Sequence, residues 1–209
     1  TYHCQERVFT SGGKLYTTYC KNRFCTVCTA NRKADYINRY LLVLNTWKEP
    51  HFVTLTVKSC KAKKLRFYCK SVLRAFNEIL AKYKKQCQRG TGMKIKCIRS
   101  LECNFNPIDG TYNPHLHIIV ESKEIGDILV KEWLKKWTSG WTYKKGQKND
   151  KVFNNEIALI EVIKYGSKIF TEPDMEKKKR QPKGTAFIYV AALHNILRAM
   201  KGLRIFERS

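Results

Sequence analysis

Residues 94–105 and 115–121 both alternate apolar and polar side chains with a period of two, and a turn-rich stretch joins them. The segments Asn106-Pro107, Asp109-Gly110 and Asn113-Pro114 break the pattern between them, which predicts a β-hairpin with one buried face. Leu101, Cys103 and Phe105 fall on the apolar face of the first strand, and Leu116, Ile118 and Val120 on that of the second. Side chains two apart on a strand share a face, so His115 and His117 point together, away from the core. In isolation a His-x-His pair reads more readily as surface or satisfied histidines than as metal ligands. Glu102 changes the balance, because pairing of the strands lets it lie beside the histidines on the open face. One carboxylate and two imidazoles suit Mn²⁺ or Mg²⁺, with coordination positions left for water and phosphate oxygens.

The rest of the chain supplies helices around this hairpin. His51 to Val57 is a further period-2 strand. Cys69, Val72, Leu73, Phe76, Ile79, Leu80, Tyr83 and Cys87 recur at three- and four-residue steps, so 65–88 is an amphipathic helix. Helices are also expected over 29–46, 124–137, 156–170 and 185–201, the last closed by Gly202 in the C′ position. Trp133, Trp137 and Trp141 recur every four residues, a spacing that favours core packing over a base-stacking surface. Mixed strands and helices define an α+β chain. We divide it into an N-terminal segment and helix over 1–47 and a main domain over 48–209.

The N-terminal segment holds a cysteine cluster. Nine cysteines would suit a disulfide framework, but the odd count, ample apolar content and absence of a signal-peptide pattern favour a reducing, cytosolic setting. Cys20-x4-Cys25-x2-Cys28 sets three thiols within nine residues among polar neighbours, and Cys4 is the natural fourth ligand, with His3 as competitor. This is the pattern of a structural Zn²⁺ site, in which four protein ligands leave no open position for chemistry.

Charge narrows the partner. Lys and Arg number 41 against 17 Asp and Glu, a net charge of +24. From Lys58 to Lys96 there are 13 basic residues and one acid, Glu78. A helix with its apolar stripe inward must display that charge outward, which points to nucleic acid ahead of an anionic membrane surface. The stretch Glu176 to Lys183 reads as a basic loop able to touch DNA. No stretch approaches the roughly 18 apolar residues of a membrane span, and no membrane partner is expected.

One more constellation is Glu161, Tyr165 and Lys168, which share a stripe at i, i+4 and i+7 if their segment is helical. Taken alone these residues read as a surface Glu and Lys flanking a half-buried Tyr. In order along the chain, however, stand the cysteine cluster, Phe52-Val53-Thr54-Leu55-Thr56-Val57, Arg99-Ser100-Leu101-Glu102, His115-Leu116-His117, Tyr165-Gly166-Ser167-Lys168 and Leu197 to Arg204. With these the chain resembles the HUH endonucleases, and among them the single-tyrosine Rep initiators of rolling-circle plasmids, phage and mobile elements. Tyr165 follows the histidines, whereas conjugative relaxases place the tyrosine near the N-terminus. The motif carries Asn113-Pro114 where a further histidine can stand, which leaves Glu102 as the third ligand.

The resemblance implies an antiparallel sheet with helices mainly on one face, an RRM-like palm, plus the small zinc-binding subdomain. It also implies nicking of single-stranded or hairpin origin DNA by Tyr165, assisted by Mn²⁺ or Mg²⁺ on Glu102, His115 and His117 and by Lys168 or Lys164. The products are a 5′-phosphotyrosine and a free 3′-OH, and Glu161 is the expected general base for the terminating cut. A host helicase as partner and the cytoplasm of a bacterial host follow from the same resemblance. Three alternatives compete: a transposase-type HUH enzyme, a non-enzymatic zinc-containing nucleic-acid binder, and an RNA-binding protein on a similar sheet. The last lacks the expected aromatic RNP motif.

Overall fold

The computed structural model describes Cys4 and residues 7–21, 25–138, 140–142, 144–165 and 185–209. A small hairpin, β1 (Val8–Ser11) and β2 (Lys14–Thr17), opens the chain, and helix α1 (Thr26–Leu44) follows. The main sheet holds β3 (His51–Thr56), β4 (Cys97–Asn106), β5 (Thr111–Val120), β6 (Lys148–Lys151) and β7 (Phe206–Arg208). Its order is β6-β3-β5-β4-β7 and every pairing is antiparallel. The helices are α2 (Ala62–Gln88), α3 (Lys123–Lys136), α4 (Asn155–Tyr165) and α5 (Thr185–Met200). None of the described helices is long and apolar enough to cross a membrane.

The central pair β4–β5 is the expected hairpin, ten residues on each side. Its second strand starts at Thr111, four residues ahead of the expected 115, because Asn113 and Pro114 continue the ladder opposite Asn104 and Cys103. A proline is tolerated there because β3 pairs with β5 only from His115 onward, so no neighbour needs the missing N–H. Gly110, with φ of 58°, takes the left-handed position in the turn. Gly202 has φ of 75° and follows α5 as the expected C′ residue. Both sheet edges are short and charged, β6 reading Lys-Asn-Asp-Lys and β7 Phe-Glu-Arg, which discourages pairing with other chains.

Alternation along the strands divides the core in two. Val53, Leu55, Leu101, Leu116 and Ile118 face α2, α3 and α5 on one side. On the other side Ile98 and Ile119 are covered by Leu44 of α1 and by Leu159, Val162 and Ile163 of α4. Helices therefore lie on both faces, three against two, and the expectation of helices mainly on one face is corrected to that extent. The reason is that α1 and α4 each carry an apolar stripe that only the second sheet face can bury. Those two helices cover only part of that face; Thr54, Thr56, Glu102, His115 and His117 project from the remainder. The segment 1–47 shares this packing, since Leu44 and Trp47 are buried with Ile98 and Ile119. Of the expected helix 156–170, residues 166–170 lie outside the described residues, as does the basic loop 176–183.

Arg99 is buried in β4 on the face toward α2, over the ring of Phe76. A charge there needs a partner, and β7 supplies it: Arg99 Nη2 pairs with the Glu207 carboxylate, and Nη1 donates to the Arg204 carbonyl at 3.2 Å. Removing one partner of a buried pair costs more than the pair contributes, because the remaining charge stays desolvated. Glu207→Ala is expected to lower unfolding free energy by about 3 kcal/mol, read by chemical denaturation. Arg99→Met/Glu207→Leu should recover most of that loss, and a single variant as stable as wild type would contradict the pairing.

Candidate active site

The register of the hairpin places Glu102 directly opposite His115 and Ser100 opposite His117. Across the other edge of β5, Thr54 stands opposite His117 and Thr56 opposite His115. Glu102 Oε2 lies 3.0 Å from His115 Nε2 and 2.9 Å from His117 Nε2, and the two Nε2 atoms are 3.1 Å apart. These three atoms form a nearly equilateral triangle. For metal–ligand bonds of roughly 2.1 Å at right angles, adjacent ligands stand roughly 3.0 Å apart, so the triangle matches one face of an octahedron.

The protonation pattern supports the same reading. His115 Nδ1 is 3.0 Å from the Asn113 carbonyl, which can only accept, so Nδ1 carries a hydrogen and Nε2 is the ring atom that faces the centre. His117 Nδ1 lies 3.3 Å from Thr54 Oγ1, which orients the second ring. Ligating histidines are normally held this way through the other ring nitrogen. Burial pushes the Glu102 carboxyl up, but hydrogen bonds and charge from His115 and His117 outweigh it and hold the group below its ordinary value. Glu102, His115 and His117 thus form a group whose three ligand atoms could hold a metal ion. The donor set fits a divalent ion of the oxygen- and nitrogen-preferring kind with an open side.

A second layer fixes the strand ends. Asn113 Nδ2 donates to the Val57 carbonyl at 2.6 Å, and Thr56 Oγ1 donates to Asn113 Oδ1 at 3.0 Å. The Thr56 carbonyl accepts from Trp133 Nε1 at 2.9 Å, Thr142 Oγ1 at 2.8 Å and Gln147 Nε2 at 3.2 Å. Sequence reasoning missed Thr54, Asn113 and Gln147. Their signal was present for Thr54 only, as a polar residue on the inward half of a strand beside the histidine strand.

Helix α4 lies on the same face. Its buried residues pack on Ile119, two residues beyond His117. Glu161 is partly buried one turn before the end of that helix, and Tyr165 is its last residue. The sheet and helix therefore bring the expected ligands together and set the tyrosine position on a helix over their face; Lys168 lies outside the described residues.

The four cysteines also converge. Sγ atoms of Cys4, Cys20, Cys25 and Cys28 all lie within 4.8 Å of one another, with Cys4–Cys28 at 3.4 Å and Cys20–Cys28 at 3.6 Å. These separations are too long for disulfides and close to the roughly 3.8 Å edge of a tetrahedron with 2.3 Å metal–sulfur bonds. Cys25 is the N-cap of α1 and Cys28 lies in its first turn. The Cys28 backbone N–H, partly opposed by burial and assisted by the neighbouring thiols, lowers Cys25 to about 7. Burial, by contrast, raises Cys28. His3, the competing fourth ligand, lies outside the described residues.

Comparison with known proteins adds the lineage. The family model described as "Replication protein" matches residues 13–208. A Staphylococcus aureus protein named "Protein rep" is 33% identical over 174 residues, covering 74% of this chain and 72% of that relative. Proteins of the same name from Lactiplantibacillus plantarum and Streptococcus pneumoniae are 33% and 29% identical over 138 and 140 residues, each match covering 59% of this chain. The chain spans 42% of the length of each of those two relatives. No solved structure matches.

Thr54→Val removes the hydroxyl beside His117 Nδ1 at little change in volume. It is expected to weaken divalent-ion affinity about 10-fold, the usual cost of losing such a partner. Calorimetric titration of wild type and variant with Mn²⁺ reads the difference, and equal affinities would show that Thr54 does not orient the ring.

Proposed function

The chain belongs to the replication-protein family, and from that premise we propose that it starts rolling-circle replication by nicking single-stranded origin DNA through Tyr165. The observation that carries the reading is the Glu102–His115–His117 triangle on the sheet face that α4 overlies. Mn²⁺ or Mg²⁺ held by these three side chains would supply Lewis-acid polarisation of the scissile phosphate.

The chain's own groups do the rest. The Tyr165 oxygen attacks phosphorus and loses its proton, the bond from phosphorus to the 3′ oxygen breaks, and that oxygen leaves as a 3′-OH. The strand stays attached as a 5′-phosphotyrosine, so phosphodiester energy is conserved and no nucleotide cofactor is required. An unperturbed phenol ionises near pH 10, so Tyr165 needs positive charge nearby; Lys164 and Lys168 are its closest basic neighbours in sequence. Glu161, one helical turn before Tyr165, takes a proton from water so that the water oxygen makes the final cut. Binding draws on many Lys and Arg contacts to phosphate that do not involve the triangle. The cysteine cage holds Zn²⁺ and is structural, and a host helicase is a partner of the full reaction.

One assay separates these roles. Wild type incubated with labelled origin single strand and Mn²⁺ should form a covalent adduct. Tyr165→Phe and His115→Ala should form none while still binding DNA. Glu161→Gln should form the adduct and accumulate it, with release slowed at least about 100-fold, within the range for loss of a general base. Wild-type release by Glu161→Gln would mean another group ends the cycle, and loss of binding with cleavage in His115→Ala would count against the triangle as the reacting centre.

The cage has its own check. The purified protein is expected to carry about one Zn²⁺ per chain. Stripping it with a chelator should lower stability by several kcal/mol, seen as a drop in melting temperature. A zinc-free protein that melts unchanged with chelator would exclude the assignment.

A further inference from the structure

A chain of aromatic rings runs from the core on the α2 and α3 side of the sheet to the surface. Trp133 is fully buried and its ring centre is 5.7 Å from that of Trp137, which is 6.3 Å from Trp141. Trp141 is 5.8 Å from Tyr68, and Tyr68 is 6.0 Å from Phe67. The chain ends in two large exposed rings, Trp141 at 45% and Phe67 at 63% exposure. Apolar rings at a surface need a reason when a buried neighbour, Tyr68, holds them in place.

Their surroundings are basic throughout. On α2, Phe67 is bordered at three- and four-residue spacing by exposed Lys63, Lys64 and Lys70. The Lys58 backbone N–H donates to the Trp141 carbonyl at 2.7 Å, and exposed Lys144 follows Trp141 in the chain. No acidic residue occurs between Glu49 and Glu78 or between Glu132 and Asp150. Lys82, Lys135 and Lys136 on the same layer are tied to Glu132 and Glu78. Lys58, Lys63, Lys64 and Lys70 have no ion-pair partner among the described residues.

The position ties this surface to the metal face. Trp133 and Thr142 both donate to the Thr56 carbonyl, and Thr56 is the β3 residue paired with His115. The rings therefore start at the sheet edge one strand from the triangle and lead away over α2. We infer that Trp141 and Phe67, with Lys58, Lys64 and Lys70, form a stacking platform for unpaired bases of the strand that enters the metal centre. Rings stack on any base, and lysines beside them neutralise the phosphates, the combination used by single-strand binders. Duplex DNA keeps its bases covered and gains only the charge. The inference rests on single-stranded DNA being the substrate.

The test uses the whole chain, a fluorescent thymidine oligonucleotide and an equal-length duplex. Trp141→Ala and Phe67→Ala should each weaken single-strand binding about 5- to 100-fold, as loss of a stacked base does, with duplex binding little changed. Trp141→Phe should restore most of the affinity. Phe153→Ala, which removes a still more exposed ring (92%) elsewhere, should have no effect. Lys64→Gln/Lys70→Gln should flatten the salt dependence of single-strand binding, while the aromatic variants leave its slope unchanged. Wild-type affinity in both aromatic variants, or equal losses on single strand and duplex, overturns the platform. If wild type meanwhile forms the Tyr165 adduct, the nicking function stands without it; if wild type neither binds the single strand nor forms adduct, both fall.

Discussion

The Glu102, His115 and His117 ligand atoms stand about 3 Å apart in a buried place, and the register of one hairpin keeps them there. A slip of β5 by a single residue against β4 would turn His115 and His117 into the core and bring Leu116 and Ile118 to the face that Glu102 occupies. The hydrophobic cost of that slip, roughly 2 kcal/mol for each large side chain brought to water, holds the register. The site is thus maintained by residues on the opposite face of the same strands. Asn113 and Thr56 then lock the open end of β5 to β3, where ladder pairing stops.

The sheet separates two tasks. The face with the triangle is partly covered by α1 and α4, which leaves the ligands at the border of an apolar layer that excludes water on one side. The opposite face is buried under α2, α3 and α5, so the strongly basic α2 does not line the triangle. On the proposed platform, a strand held by the lysines of α2 would reach the ligands around the β3 edge, where Thr56 anchors Trp133, Thr142 and Gln147. Ladder pairing on that edge stops at Thr54, and beyond it side chains of Gln147, Trp133 and Thr142 cap the Thr56 backbone.

Period-2 alternation is what makes the hairpin, its buried face and the Glu102–histidine cluster legible in the sequence, because burial on one side leaves a repeating mark. The cysteine spacing is legible for a similar reason: a tight turn must offer two sulfurs from one loop. The side assignment of the helices is not. An apolar stripe says that α1 and α4 bury a face, but both faces of this sheet are apolar at Ile98/Ile119 and at Leu101/Leu116 alike. Thr54 and Asn113 escape notice because small polar residues serve turns, caps and strands equally, and only the register shows which ring each one meets. The tryptophan series divides along its length: Trp133 is core, as its spacing suggests, while Trp141 emerges at the surface once α3 ends at Lys136. A four-residue repeat carries information only as far as the helix does.

The cysteine cage stands away from the triangle in sequence, yet a continuous line of packing joins them. Helix α1 begins at Cys25, whose side chain makes no capping hydrogen bond, so the first turn lacks the usual side-chain anchor. The cage takes its place, with Cys25 and Cys28 gathered by Cys4 and Cys20 and with Arg32 donating to the Lys21 carbonyl at 3.2 Å. Farther along α1, Tyr36 stacks on Phe206 of β7 at 4.6 Å and Tyr40 meets the same ring edge-on. The helix ends with Leu44 buried against Ile98, Ile119 and the apolar residues of α4. Helix α4, which carries the proposed nucleophile, is thus held between the sheet and α1, and its hold on the sheet alone is a short row of aliphatic contacts. An in-line attack tolerates an error of only about 1 Å before rate falls steeply. A loosened first turn of α1 would be felt at the end of α4 through that contact, which would give the proposed structural cage a reason to sit in the same chain as the proposed reacting centre.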